Sequence, residues 1–194
     1  MEKIILFDGT STEHWKKQNT DDPITWKVED GCMTVTPFGG SIVSKEIFGD
    51  AHIHLEWREP DMPDKTGQFK GNSGVFIHGV YEVQVLDSYG IEPPTATDCG
   101  GFYNLYPPIV NACKPALEWQ TYDIYVRAAI FEDGVCTKSA VATVFQNGVC
   151  IQNNVELIRG TMSNDPADRV PCGPLVLQDH GDPVSFRNIW IEKY

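Results

Sequence analysis

The residues best able to do chemistry sit on one short segment, Tyr81-Glu82-Val83-Gln84-Val85-Leu86-Asp87. In an extended chain successive side chains alternate, so Tyr81, Val83 and Val85 point one way and Glu82 and Gln84 the other. A carboxylate and an amide then share a face, with Asp87 just beyond. A carboxyl group there can move a proton, and an amide beside it can orient a bound hydroxyl or carbonyl. Taken alone, the same pattern also fits the wetted side of an antiparallel sheet. The adjoining Asn72-Ser73-Gly74 and the distant Leu177-Gln178-Asp179-His180-Gly181 and Phe186-Arg187-Asn188 add polar groups near strand ends. Glu56 adds another carboxylate. Together Glu56, Asn72, Glu82, Gln84, Asp87, Gln178, His180 and Arg187 form a larger polar set than a scaffold requires, and Glu56, Glu82, Gln84, His180 and Arg187 are expected to converge in one concave cleft.

Positioning these residues is work for strands. Residues 51–58 carry the cleanest period of two in the chain, with Ala51, Ile53, Leu55 and Trp57 on one side and His52, His54, Glu56 and Arg58 on the other. The pair His52-x-His54 lacks a third fixed metal ligand and reads as polar surface. Asp30-Gly31 and Asn147-Gly148 are type I′ hairpin signals between apolar runs. Strand-like runs recur at residues 4–7, 24–29, 32–36, 75–78, 81–86, 119–130, 140–145, 149–151, 175–178 and 184–191. No window of helix length has an apolar 3.6 period. The expectation is a single domain over residues 1–194, built as an antiparallel β-sandwich or jelly roll.

Residues 59–70 and 88–99 read as long loops, and 160–171 as a polar one. The aromatic segment Gly101-Phe102-Tyr103-Asn104-Leu105-Tyr106 offers rings that could stack on a sugar or anchor a loop. A net charge of -12 argues against nucleic acid or an anionic membrane surface as partner and leaves a neutral carbohydrate compatible. The N-terminus shows no signal peptide or membrane span, so a cytoplasmic chain is expected, or a periplasmic or secreted one trimmed at its start. The six cysteines, Cys32, Cys99, Cys113, Cys136, Cys150 and Cys172, have no CxxC spacing. They read as mostly buried free thiols rather than a zinc site.

The sequence resembles the 3-keto-disaccharide hydrolase domain family along nearly its whole length. The resemblance rests on Leu6-Phe7-Asp8-Gly9, Trp26-Lys27-Val28-Glu29-Asp30-Gly31, Leu55-Glu56-Trp57-Arg58 and Asn72-Ser73-Gly74-Val75-Phe76, then on Tyr81 to Asp87, Glu118-Trp119, Asn147-Gly148-Val149 and Gly173-Pro174 to Ile191. His78 stands where the family commonly has Arg, and Gln120 where Asn is usual. The resemblance implies a concanavalin-like jelly roll with a sugar site on a concave sheet, acting on glycosides already oxidised to the 3-ketone. That ketone acidifies the C2 proton, and the chemistry then needs a base, a partner for the enolate oxygen and an acid or metal for the leaving group. Glu82, His180, Glu56 and Asp87 are the candidate acids and bases. Asn72, Gln84, Tyr103, Gln178 and Arg187 are the candidate substrate contacts. A carboxylate cluster beside His could hold a divalent cation as Lewis acid. An ordinary two-carboxylate glycoside hydrolase and a non-catalytic carbohydrate-binding module or lectin are the alternatives.

Overall fold

The computed structural model describes residues 2–194. Fifteen strands follow one another: β1 (Glu2–Phe7), β2 (Trp15–Lys17), β3 (Lys27–Glu29), β4 (Cys32–Thr34), β5 (Ile42–Phe48), β6 (Ala51–Arg58), β7 (Ser73–Ile77) and β8 (Tyr81–Val85) in the first half. The second half contributes β9 (Gln120–Arg127), β10 (Ile130–Glu132), β11 (Val135–Lys138), β12 (Ala140–Gln146), β13 (Val149–Leu157), β14 (Gly173–Leu177) and β15 (Ser185–Lys193). Helix among the described residues is limited to two short 3₁₀ turns, Gly67–Phe69 and Pro166–Asp168.

Thirteen of the strands form an eight-stranded sheet in the order β13-β12-β9-β6-β15-β4-β3, with β1 also paired to β15, and a five-stranded sheet in the order β2-β5-β14-β7-β8, while β10 and β11 make a separate two-stranded ribbon. Their pairings are antiparallel, and the two sheets pack face to face as an antiparallel β-sandwich of the jelly-roll class. The period of two in residues 51–58 appears as β6, whose Ala51, Ile53, Leu55 and Trp57 are fully buried. They face Val75 and Ile77 of β7 and Tyr81, Val83 and Val85 of β8 within one continuous core. Aromatic rings fill its widest part, where Trp57 lies 4.0 Å from Tyr122 between ring centres. Buried indoles keep their hydrogen bonds: Trp15 Nε1 donates to the Leu6 carbonyl at 2.8 Å and Trp26 Nε1 to that of Gly40 at 3.0 Å.

Asp30-Gly31 and Asn147-Gly148 make the β3–β4 and β12–β13 hairpins, all four residues having positive φ. A third such hairpin, β10–β11 around Asp133-Gly134, lies outside the strand runs expected from sequence, its flanks being short and largely exposed. The segment read as a strand at 24–29 begins to pair only at Lys27.

Gly173, at the start of β14, packs so closely on the His78 backbone that a Cβ would overlap its Cα, carbonyl carbon and carbonyl oxygen. Backbone cannot yield as a side-chain tip can. Gly173→Ala is therefore expected to lower unfolding stability by about 1–3 kcal/mol, an overpacking cost. A urea titration gives the value, and an unchanged midpoint would contradict the close approach.

Candidate functional site

On the outer face of the five-stranded sheet, strand register aligns side chains into rows. Lys16 of β2 pairs with Val43 of β5, Val43 with Val176 of β14, Val176 with Phe76 of β7, and Phe76 with Glu82 of β8. Val43, Val176 and Phe76 form an apolar patch separate from the main core. A neighbouring row carries Gln178, Gly74 and Gln84, for Gly74 pairs with Gln84 and the Gln178 N–H donates to the Gly74 carbonyl at 3.0 Å. Glu82 and Gln84 do share a face, as alternation requires.

That face is not simply wetted, because two loops dock on the free edge of β8. Segment 100–103 continues the ladder: Gly100 N donates to Gln84 O, Gln84 N to Gly101 O, and Tyr103 N to Glu82 O, at 2.9 to 3.1 Å. Further along, the Thr161 hydroxyl accepts from Glu82 N at 2.9 Å and donates to the Val80 carbonyl at 3.2 Å. Glu82 is thereby only 2% exposed. Its carboxylate has no hydrogen-bond or ion-pair partner among the described residues, and burial pushes its pKa up to about 8. A Cβ on Gly74 would overlap Oε1 of Glu82, so the carboxylate lies across the space that this glycine leaves open. On the other side of Gly74 stands Gln178, whose Oε1 is buried and without a partner.

Gln84 is held in place. Its Nε2 donates to Gln68 Oε1 at 3.1 Å, and Asn72 Nδ2 donates to the Gln68 carbonyl at 2.8 Å. Gln68 Nε2 in turn donates to the Thr97 carbonyl at 2.8 Å. A groove of about 730 Å³, lined by Lys16, Lys17, Asn19, Val43, Lys45 and Val176, runs over the near end of the first row. A second hollow of about 370 Å³ lies over Phe76, Val80 and Met162. Neither hollow is lined by Glu82. The volume sits over the apolar part of the row, while the desolvated carboxyl sits at its end.

The expected convergence fails. Glu56 and Arg187 lie on the outer face of the eight-stranded sheet, opposite the core side of β6, and so on the far side of the sandwich from Glu82. There Arg187 Nε donates to Glu56 Oε2 at 2.7 Å, Asn188 Nδ2 donates to Oε1 at 2.9 Å, and the guanidinium covers Trp119 at 3.9 Å. Burial acts to raise the Glu56 carboxyl, but the bonds from Asn188 and Arg187 outweigh it and hold the pKa below its ordinary value. Alternation identifies a residue's face but not its sheet, which is why the sequence merged the two groups. His52 Nε2 and His54 Nδ1 lie 2.9 and 2.8 Å from one oxygen of Asp123 on that same far face.

Asp87 is engaged in an ion pair with Lys70 at 3.0 Å. His180 does not share a strand face with Gln178, because β14 ends at Leu177 and His180 projects, exposed, from the following turn. Asp179 and Asp182 fasten that turn by accepting from Gly40 N and Asn72 N, both at 2.8 Å. Tyr103 is half-buried beside Glu82. The site thus retains Glu82, Gln84, Gln178, Asn72 and Tyr103, and adds Gln68, Phe76, Thr97 and Thr161. Those additions come from loops or a central strand whose contact with β8 leaves no local sequence signal.

A desolvated carboxyl at the end of an apolar row on a jelly-roll sheet is the pattern of a candidate small-molecule site. Residues 2–192 match the 3-keto-alpha-glucoside-1,2-lyase-like domain, and the chain belongs to that family. A Bacteroides thetaiotaomicron protein named 3-keto-disaccharide hydrolase is 24% identical over 97% of this chain and 77% of its own length. A Parabacteroides distasonis crystal structure, provisionally described as a glycosyl hydrolase, shares 37% identity and a TM-score of 0.91 over 99% of this chain and 84% of its own. A carbohydrate binding module from Bacillus subtilis, at 10% identity and a TM-score of 0.52 over 93% of this chain and 96% of its own, shares the fold alone.

Two outcomes follow from the geometry. Gly74→Ala should leave the fold intact, since it displaces a side-chain tip, yet reduce turnover by roughly 10²-fold by misplacing the carboxylate. Thermal melting beside an activity assay separates the two effects. Because burial raises the Glu82 pKa from 4.5 to about 8, the group's stabilising contribution is complete below about 4.5 and is lost as pH rises through about 8. Glu82→Gln should therefore melt higher than the parent at pH 8.5, and this advantage should shrink toward pH 4. A difference independent of pH would contradict the burial.

Proposed function

We propose that the chain cleaves glycosides whose sugar carries a 3-ketone, by removing the C2 proton and expelling the C1 substituent. The observation carrying this reading is Glu82: the two rows contain one carboxylate, it is desolvated, and no cation neutralises it. A two-carboxylate glycosidase needs a second acid about 5 to 9.5 Å away. The rows offer amides there instead.

In the reaction, the ionised Glu82 takes the C2 proton, which the neighbouring ketone has acidified, and the electron pair moves onto the C3 oxygen as an enediolate. The Gln178 amide, across Gly74 from the carboxyl, is suited to donate to that oxygen. The electron pair then returns to form the C1–C2 double bond as the C1–O bond breaks, and the aglycone oxygen takes the proton that Glu82 removed from C2, which restores the carboxylate. Water adding across the double bond yields the free 3-keto sugar. The apolar floor of Val43, Val176 and Phe76 suits the less polar face of a sugar ring. A base with a pKa near operating pH combines useful ionisation with useful driving force.

Turnover of a 3-keto-glucoside in heavy water should place deuterium at C2 of the released sugar, and a C2-deuterated substrate should react more slowly where proton removal limits the rate. Glu82→Gln should reduce kcat by roughly 10²–10⁴-fold with little change in binding. For a base, kcat/KM should rise with pH and level off above about 8. Cleavage of the unoxidised glucoside without label would favour a glycosidase, and binding without cleavage of either sugar would favour a lectin.

A further inference from the structure

Away from this face, at the end of β6, a different set of groups converges. Glu59 comes from the loop just after β6, while Cys99 and Cys113 bracket the excursion that docks on β8. One carboxylate oxygen and the two sulfurs all lie within 4.8 Å of one another, and all three residues are buried. Sequence spacing hides this set, since 39 and 13 intervening residues separate its members.

The surroundings resemble the outer shell of a metal site more than an ordinary core. Trp57 Nε1 donates to Glu59 Oε1 at 3.0 Å, and Gln120 Nε2 donates to Oε1 and Oε2 at 3.0 and 2.8 Å. Gln146 Nε2 lies 3.4 Å from Cys99 Sγ, and Gln120 Nε2 lies 3.5 Å from Cys113 Sγ. The Gln120 amide cannot turn over, because its Oε1 accepts from Lys114 N, Gln146 Nε2 and Asn147 Nδ2. Neutral N–H groups thus aim at three acidic donors, and none of these bonds comes from a cationic side chain. Such second-layer hydrogen bonds are what fix ligating carboxylates and thiolates.

We propose that Glu59, Cys99 and Cys113 bind a thiophilic d¹⁰ cation, Zn²⁺ being the probe of choice. Two sulfurs and one oxygen select such an ion over Mg²⁺ or Ca²⁺, which prefer all-oxygen sets. Zn–S bonds of about 2.3 Å and a Zn–O bond of about 2.0 Å place tetrahedral sulfurs about 3.8 Å apart and oxygen about 3.5 Å from each sulfur, so the trio closes by at most about 1.3 Å on binding. Tyr122 Oη, 3.3 Å from Cys99 Sγ, is a further oxygen within reach. Binding releases up to three protons, one from each donor, and leaves the site with a net charge near -1. Its structural effect is to staple both ends of the Cys99–Cys113 excursion to β6, and with them the segment that walls Glu82.

The experiment refolds the full chain from urea under a phosphine reductant with excess Zn²⁺, removes unbound metal and measures metal content. About one Zn²⁺ per chain is expected, together with a thiolate-to-metal absorption band and tetrahedral d–d bands when Co²⁺ replaces it. A chain with Cys136, Cys150 and Cys172 all changed to Ser should retain both signals, and Cys113→Ser should lose them. Should Cys113→Ser fail to fold, the Co²⁺ spectrum of the parent decides by itself. Metal below about a tenth of an equivalent with six titratable thiols overturns the proposal. So does a Cys99–Cys113 disulfide, with no metal, in the chain isolated without reductant, or a Co²⁺ spectrum lacking the thiolate band. Activity plays no part in these readouts, so the result is independent of the proposed reaction.

Discussion

The pairing of segment 100–103 with the free edge of β8 is the contact on which the site depends. Left open, that edge would expose backbone N–H and C=O groups and admit water beside Glu82. Paired, it continues the sheet, bonds the Tyr103 backbone to that of Glu82, and holds Gln84 between two backbone partners. The Tyr122 hydroxyl secures the arrangement from the core side by donating to the Gln84 carbonyl at 2.6 Å. Exclusion of solvent, with no charged neighbour, thus holds this carboxyl at a pKa of about 8, well above its ordinary value in water.

The two outer faces of the sandwich show opposite electrostatic habits. On the large sheet two central acidic groups have partners: Glu56 with Arg187 and Asn188, Asp123 with His52 and His54. The aromatic rings there are also occupied, His54 stacking on Trp190 at 5.1 Å and Lys3 covering the same indole. The small sheet leaves the Glu82 carboxylate and the side-chain Oε1 of Gln178 without partners among the described residues. Unsatisfied polar groups in a desolvated setting are what a reactive site needs, and a stabilising surface avoids them.

Local regularities carried much of the fold in the sequence. Alternation in residues 51–58 separated buried from outward positions and in 81–85 separated the two faces, both of which prove buried, and the Asp30-Gly31 and Asn147-Gly148 hairpins were legible from turn chemistry. What alternation lacks is any statement of which sheet a strand joins, and Glu56 and Arg187 were grouped with Glu82 for that reason. Thr161, Gln68 and Thr97 reach β8 from loops, where neither period nor propensity marks a contact. The Glu59–Cys99–Cys113 cluster is hidden in the same way, because only the closed sandwich brings its members together.

The position of β15 bears on how the chain can fold. Residues 185–193 lie inside the eight-stranded sheet, bonded to β6 along one edge and to β1 and β4 along the other. During vectorial synthesis the strands made earlier must wait for this insertion, so β6 and β4 present unpaired edges until residue 193 has emerged. Such non-local closure makes folding slow and leaves the nascent half-sheets exposed to wrong partners, a hazard that a chaperone or rapid final insertion must contain.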